Sequence, residues 1–176
     1  MIKANSTLRF ALIFLVVFGV LMASFEFSRG TSFEQWVVED GVVAPATALI
    51  NLINPNEGAV RIERTIASPT SRLHVTRGCE GIEMILMLAA AVIAFPASWR
   101  RRLGGIVIGS VLAYGLGLLR LVALYFVLRY SPTAWEALHG LVLPLAPIIL
   151  IACYFLYWSG GGRSRRSTSV AAQHAA

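Results

Sequence analysis

Three side chains with different chemistry lie in or beside apolar segments of this chain. Cys79 directly precedes one apolar run, Arg120 lies inside the next, and His139 lies near the start of the last. A thiolate can attack a carbonyl carbon, an imidazole can transfer protons near neutral pH, and a guanidinium can stabilise an oxyanion. Together the three residue types predict acyl transfer through a thioester, provided that the fold brings them to one level.

Each of the three residues also has a plain structural interpretation. Cys79 can be an inert cysteine at a helix boundary, and His139 an interfacial histidine without chemistry. Arg120 can be a structural arginine that pairs with Glu80 or Glu83, because a charge inside a membrane needs a partner. The sequence alone leaves these alternatives open.

Charged residues around Cys79 are candidates for supporting roles. Arg77 lies two residues before it, and both a nearby cation and a helix N-terminus favour the thiolate form. Glu83 follows Cys79 by four residues and therefore shares its helix face, where it can orient the imidazole or hold the guanidinium. Glu80 is a further candidate, although plain helix-end acids are an equal alternative for both glutamates.

The composition is that of an integral membrane protein. Of the 176 residues, 57% are hydrophobic, and the mean hydropathy is +0.71. A helix needs about 20 apolar residues to cross a hydrocarbon core about 30 Å thick. The apolar segments 8–27, 81–95, 103–128 and 137–158 meet or approach this length, and the second is short. The predicted fold class is an all-α polytopic membrane protein with about four transmembrane helices, the first of them a retained anchor rather than a cleaved signal peptide.

Basic residues that flank these segments predict the topology. They lie on one side, which the positive-inside rule assigns to the cytoplasm: Lys3, Arg9, Arg100, Arg101, Arg102, Arg163, Arg165 and Arg166. Both termini are then cytoplasmic, and residues 28–78 and 129–136 lie outside. The net charge of +6 comes largely from these anchors and does not indicate a nucleic-acid partner.

Residues 28–78 form the largest segment that we expect outside the membrane. The mixed apolar stretch 33–53 predicts a helix at the membrane surface, and alternating residues between turn signals predict a β-hairpin over 60–77. The predicted divisions of the chain are a first transmembrane helix (1–27), this extracytoplasmic segment (28–78), a catalytic three-helix membrane core (79–158) and a flexible basic cytoplasmic tail (159–176).

The order and spacing of the reactive residues resemble the exosortase/archaeosortase family, and specifically its short form, exosortase H. A Cys-x-Gly element at 79–81 opens one membrane helix, Arg120 lies in the outer half of the next, and His139 opens the last. The resemblance covers residues 75–158 and, loosely, the whole chain. Longer members have additional membrane helices, and many carry an asparagine near the arginine, where residues 117–119 of this chain read Gly-Leu-Leu.

The resemblance implies a thiol peptidase or transpeptidase of the bacterial inner membrane, with Cys79, Arg120 and His139 as its catalytic residues. Its substrates would be exported proteins that end in a sorting signal, which consists of a short motif, a transmembrane helix and a basic tail. Cleavage would take place on the periplasmic face, and transfer to an acceptor nucleophile is a further expectation. No cofactor or metal is expected, and the lipid bilayer is the other partner.

Other functions stay open at this level. A small non-enzymatic scaffold or assembly subunit would use Arg120 and the acidic residues only as structural pairs. A haem-binding electron carrier needs two facing histidines inside the bundle, whereas only His139 lies near a membrane helix. A transporter is less attractive, because no internal repeat is evident.

Overall fold

The computed structural model describes the backbone of residues 2–76, 78, 80–131, 133 and 135–173, and the side chains of these residues within 6–160 except that of Ala137. The helices of ten or more residues in this part of the chain are α1 (Ile2–Phe27), α2 (Ser32–Ile53), α3 (Ile82–Ala94), α4 (Trp99–Tyr130) and α5 (Leu143–Gln173). Within α2, residues Trp36–Val43 are π-helical. Shorter elements are a 3₁₀ turn (Pro55–Glu57), a helix (Trp135–Ala137) and a π-helical turn (Leu138–Val142) that leads into α5.

Four helical stretches of the described residues are long and apolar enough to cross a membrane: Ser6–Phe27, Ser32–Ile53, Trp99–Tyr130 and Leu138–Gly160. The predicted fold class, a mostly helical protein with about four such helices, is confirmed. One member of the set differs from the prediction. Helix α3 has 13 residues and is only about 20 Å long, whereas α2, which we expected at the membrane surface, is by length and composition a candidate span.

Helix α4 contributes to two hydrophobic cores. Its first half packs with α3 and α5 in the bundle core, whose buried members are Met84, Leu88, Val92, Ala113 and Ile151. Its second half packs with α2 and the sheet in the sheet core, whose buried members are Val38, Val42, Val43, Ala46, Ile50, Ala59, Ile66, Leu73, Val75, Leu118, Leu121, Val122, Leu124 and Tyr125. With 32 residues, α4 is about 48 Å long, which exceeds the thickness of a bilayer core. Its first half can therefore lie in a membrane bundle while its second half extends to the sheet.

Helix α5 packs antiparallel on α4, and small residues allow the close approach. A Cβ atom at Gly105 would lie 2.6 Å from the Trp158 ring, so only glycine fits there. The Tyr154 hydroxyl donates a hydrogen bond of 2.8 Å to the Gly105 carbonyl. The backbone of α5 stays helical through Gln173, because each residue added to an existing helix gains a backbone hydrogen bond.

The sheet is a three-stranded antiparallel meander rather than the single hairpin predicted over 60–77. Its strands are β1 (Val60–Ile62), β2 (Thr65–Ala67) and β3 (Arg72–His74), with β2 in the centre. The alternating run 60–66 predicts one strand, but Glu63 adopts a left-handed conformation (φ 51°) and turns the chain back after Ile62. Ile66 is fully buried and faces the sheet core, which docks the sheet on α2 and α4.

A buried carboxylate attaches the turn before the sheet to the end of α4. Glu57 accepts hydrogen bonds from the hydroxyls of Tyr130 (2.8 Å) and Tyr125 (2.9 Å) and from the amide of Asn54 (3.1 Å). The hydrogen bond from Tyr130, followed by that from Tyr125, holds the pKa of Glu57 below its usual range. The folded state therefore favours the ionised form of this side chain.

We expect Glu57→Gln to lower the thermal midpoint of unfolding by several degrees, because a neutral amide is a weaker acceptor for two hydroxyls. Since the pKa is lowered on folding, the stabilisation is fully present above the ordinary glutamate pKa of about 4.3 and is lost as the pH falls through the folded value. Thermal unfolding in detergent should therefore show a gap between wild type and variant at neutral pH that closes in acid. The exposed Glu136 provides the control, and an equal loss in Glu136→Gln would contradict the prediction.

Candidate active site

Glu80 and Gly81, the described residues of the Cys-x-Gly element, lie directly before α3. Gly78 (φ 79°) and Gly81 (φ 77°) are both left-handed, a conformation that favours glycine. Gly81 also lies against α4, where a Cβ atom would come within 3.2 Å of the Gly117 Cα. Two features of the backbone therefore favour glycine at position 81: the left-handed conformation and the close contact with Gly117. Cys79 and Arg77 lie outside the residues that the structure describes.

Arg120 is buried in the second half of α4, with 9% of its surface exposed. Its Nη1 donates a hydrogen bond of 3.1 Å to the carbonyl of Gly78, the residue that precedes Cys79 in the sequence. Its Nε is buried and has no hydrogen-bond partner among the described residues. A guanidinium has five N–H donors, so Arg120 keeps donor capacity for a further acceptor.

His139 lies in the π-helical turn before α5 and is half-buried. Its ring stacks on the ring of Trp135, with centroids 4.8 Å apart and planes inclined by 11°. Trp135 in turn packs against the sheet core. Within the described part of the chain, the Nδ1 of His139 is buried without a hydrogen-bond partner. The imidazole is thus held by stacking while this nitrogen is left unpaired.

Helical rise indicates that Arg120 and His139 lie at a similar level of the bundle. The contact between Tyr154 and Gly105 fixes the register of the two antiparallel helices. Arg120 follows Gly105 by fifteen residues and His139 precedes Tyr154 by fifteen, so each lies about 22 Å from that contact, towards the end that carries the sheet. The bond from Arg120 to the Gly78 carbonyl adds the turn before α3, so three elements converge at this level.

Glu80 is buried, with 3% of its surface exposed, and is paired with the sheet rather than with Arg120. Its Oε1 lies 3.5 Å from Nη1 of Arg64, while its Oε2 is buried and has no partner among the described residues. Burial, and secondly repulsion from Glu83 in the first turn of α3, raises the pKa of Glu80. None of the ion pairs between described residues joins Arg120 to Glu80 or Glu83, which are the partners of its structural interpretation.

A charge network that the sequence analysis missed holds this level together. Arg64, in the turn between β1 and β2, forms ion pairs with both Glu80 and Glu34. The Nε of Arg29 lies 2.6 Å from Oε2 of Glu26 at the end of α1, and its Nη1 lies 3.7 Å from Oε1 of Glu34 at the start of α2. The network joins α1, α2, the sheet and the turn before α3. In the sequence, residues of both charge signs are concentrated at the predicted outer ends of the helices, and this pattern could have indicated the network.

The side chains of the candidate site are of types that can serve acyl transfer. Among the described residues, no group of three or more histidine, cysteine, aspartate or glutamate side chains is arranged to hold a metal ion. The arginine, the imidazole and the buried carboxylate can instead bind a polarised carbonyl, transfer protons and accept a hydrogen bond.

The family model of the transmembrane exosortases matches residues 2–164 of the chain. The chain belongs to this family. The predicted resemblance to the exosortase family is thereby confirmed, and the match includes α1 to α4, the sheet and most of α5. Neither the curated proteins nor the solved structures provide a match. Membership supports a membrane peptidase or transpeptidase role in general for this exosortase, and its apolar helices make it a multi-pass membrane protein.

Proposed function

We propose that this exosortase cleaves the C-terminal sorting signal of exported proteins through a thioester at Cys79. The observation that carries the proposal is Arg120, which binds the carbonyl preceding Cys79 and keeps a buried Nε without a partner among the described residues. A buried donor without a hydrogen bond costs about 1–3 kcal/mol, so an arginine with a purely structural role is expected to pair this N–H group with an acceptor. Beside a thiol, the same donor is suited to an oxyanion.

The reaction follows from the roles of three side chains. The thiolate of Cys79 attacks the scissile carbonyl carbon, and the negative charge that develops on the carbonyl oxygen is stabilised by Arg120. The C–N bond then breaks, His139 gives the leaving amine the proton that it took from the Cys79 thiol, and the substrate's N-terminal part remains as a thioester on Cys79. Water or an acceptor amine attacks this thioester and releases the thiol. Whether the released chain is free or attached to an acceptor depends on this second nucleophile.

The length of α4 supports an active site at the outer membrane surface. Arg120 follows Arg100 by twenty residues, a distance of about 30 Å along the helix, which equals the hydrocarbon thickness. If the arginines at 100–102 lie at the cytoplasmic surface of the inner membrane, Arg120 lies at the periplasmic surface. A substrate anchored by its own transmembrane helix would present its motif at this level, and confinement in one bilayer would raise its effective concentration.

Co-expression with a candidate substrate tests the proposal. The reporter should be an exported protein from the same genome that ends in a motif, a transmembrane helix and a basic tail. We expect a shortened product, together with an enzyme–substrate adduct that hydroxylamine releases, as a thioester requires. The mass of the new C-terminus distinguishes hydrolysis from transfer. Uncleaved reporters for every such tail in the genome would contradict the proposal.

Replacement of His139 by glutamine is expected to reduce reporter processing by about 10²- to 10⁴-fold, because an amide fills similar space but cannot transfer protons. The measurement is the cleaved fraction over time. His74→Gln is the matched control, since His74 is an exposed β3 residue whose Nδ1 lies 3.0 Å from the Thr65 hydroxyl. Equal processing by wild type and His139→Gln would remove the histidine from the mechanism.

A further inference from the structure

A small apolar cavity lies next to the candidate active site, between α2, the start of α3 and the middle of α4. Its volume is about 150 Å³, and α2 lines it with residues that include Val37 and Gly41, α3 with Ile82 and Ile85. A cavity of this size holds a group as large as benzene, which is comparable to a leucine or phenylalanine side chain.

The position of the cavity relates it to the proposed chemistry. Gly81 and Gly117, the two glycines in close contact, both line it. Arg120 follows Gly117 by three residues and therefore lies about 4.5 Å further towards the sheet-bearing end, on a similar face of α4. The cavity is thus within one helical turn of Arg120, on the side where the proposed substrate's helix would descend into the bilayer.

Among the described residues that line the cavity, two carry side-chain oxygen atoms: Tyr114, whose hydroxyl donates a hydrogen bond of 2.6 Å to the Gly41 carbonyl, and Glu80. Glu80 is 97% buried, and its Oε2 has no hydrogen-bond partner within the described part of the chain. A buried carboxyl oxygen without a partner is costly. A lipid acyl chain in the cavity would leave this oxygen unpaired, because hydrocarbon has no hydrogen-bond donor. A peptide supplies both an apolar side chain and backbone N–H groups.

We propose that this cavity is the subsite for an apolar side chain of the sorting signal on the C-terminal side of the scissile bond, with Glu80 accepting a hydrogen bond from the same peptide segment. The proposal rests on the function proposed above and adds a determinant of substrate choice. The cavity would select a medium-sized apolar residue where the recognition motif meets the substrate's transmembrane helix. Polar or very large residues at that position would be rejected.

Filling the cavity should change substrate preference. A Cβ atom at Gly41 would have one neighbour within 4 Å, the Trp36 carbonyl at 3.9 Å, so Gly41→Leu adds volume without a backbone clash. The substrates are the reporter and a series in which each apolar residue after the cleavage point is replaced by alanine. With wild type, alanine at one position should reduce processing about tenfold or more. With Gly41→Leu, the unmodified reporter should lose about tenfold and the alanine reporter at that position should become the better substrate.

Gly115→Leu is the matched control, because Gly115 lies on α4 near the same level, does not line the cavity and has open space around it. It should keep the wild-type order of substrates. If Gly41→Leu also keeps that order, the cavity is not the subsite and the proposal is overturned.

A cross-linking measurement tests the subsite without turnover. A synthetic sorting-signal peptide with a diazirine analogue of leucine at the sensitive position is bound to Cys79→Ala in lipid vesicles and irradiated. We expect the cross-link on residues that line the cavity, such as Val37 or Ile85. Cross-links only to lipid, or to α1 and α5, would overturn the subsite. A wild-type enzyme that does not cleave the reporter would instead refute the proposed function, and the two failures are distinguishable.

Discussion

Cys79→Ala is expected to abolish processing of the sorting-signal reporter, with a fall of at least about 10³-fold. The thiolate is the nucleophile that attacks the scissile carbonyl in the proposed reaction, and alanine leaves no group that can form the thioester. Arg120 and His139 would remain in place, so any residual cleavage would measure what positioning and charge stabilisation achieve without covalent catalysis. The cleaved fraction and the hydroxylamine-sensitive adduct should disappear together.

The second cysteine provides the control for this experiment. Cys153 is an exposed free thiol of α5, fourteen residues beyond His139. Cys153→Ala should process the reporter as wild type does, because this thiol lies about 21 Å further along the helix from the histidine. Undiminished cleavage by Cys79→Ala would exclude the thiol mechanism. Loss of cleavage with a stable protein would in turn argue against a non-enzymatic scaffold, whose activity should not depend on one thiol.

The helical framework could be predicted because the bilayer imposes a simple requirement on sequence. Three of the four predicted spans correspond to α1, α4 and α5, since a stretch of about 20 apolar residues is easily recognised. Gly105 and Gly109 allow close helix packing, because side chains of α3 and α5 occupy the space that a Cβ atom would need. A Cβ atom at Gly104 would have no neighbour within 4 Å.

The region outside the bundle was harder to predict because its structure depends on tertiary contacts. Apolar residues of α2 pack against the second half of α4 in the sheet core. The apolar composition of α2 is therefore explained by this packing as well as by a membrane. The end of β1 depends on the left-handed conformation of Glu63, which is unusual for a residue other than glycine. The pairing of Arg64 with Glu34 and Glu80 joins residues far apart in sequence, which no local pattern can indicate.

The sequence predicts the level of the candidate site along the helices, whereas it does not predict the contacts of the site. Helical rise is regular, so the positions of Arg120 and His139 along two antiparallel helices follow from residue number once the helices are known. The partner of Arg120 is a backbone carbonyl, and a carbonyl has no side-chain signature in a sequence. The same is true of the cavity, because residues from three separate helices line it.

Arg120→Lys is expected to reduce processing by about 10²- to 10³-fold while the protein stays folded. A lysine ammonium keeps the positive charge and can still donate to the Gly78 carbonyl, but it lacks the planar set of donors that binds two acceptors in fixed directions. The proposed mechanism uses the guanidinium for both the carbonyl and the oxyanion. We therefore expect the loss in the maximal rate of cleavage rather than in the substrate concentration needed for half-maximal rate.

Two further variants separate this role from a structural one. Arg129→Lys, nine residues further along α4, changes an arginine whose Nε lies 3.7 Å from Glu57, and it should leave processing near the wild-type rate. Arg120→Gln can keep a hydrogen bond to the Gly78 carbonyl but has no charge, and it should be as inactive as Arg120→Lys. If Arg120→Lys processes the reporter normally, a point charge suffices and the planar guanidinium is not required for the reaction. Failure of both Arg120 variants, with unchanged thermal midpoints and an active Arg129→Lys, is the result expected for a guanidinium that faces the oxyanion.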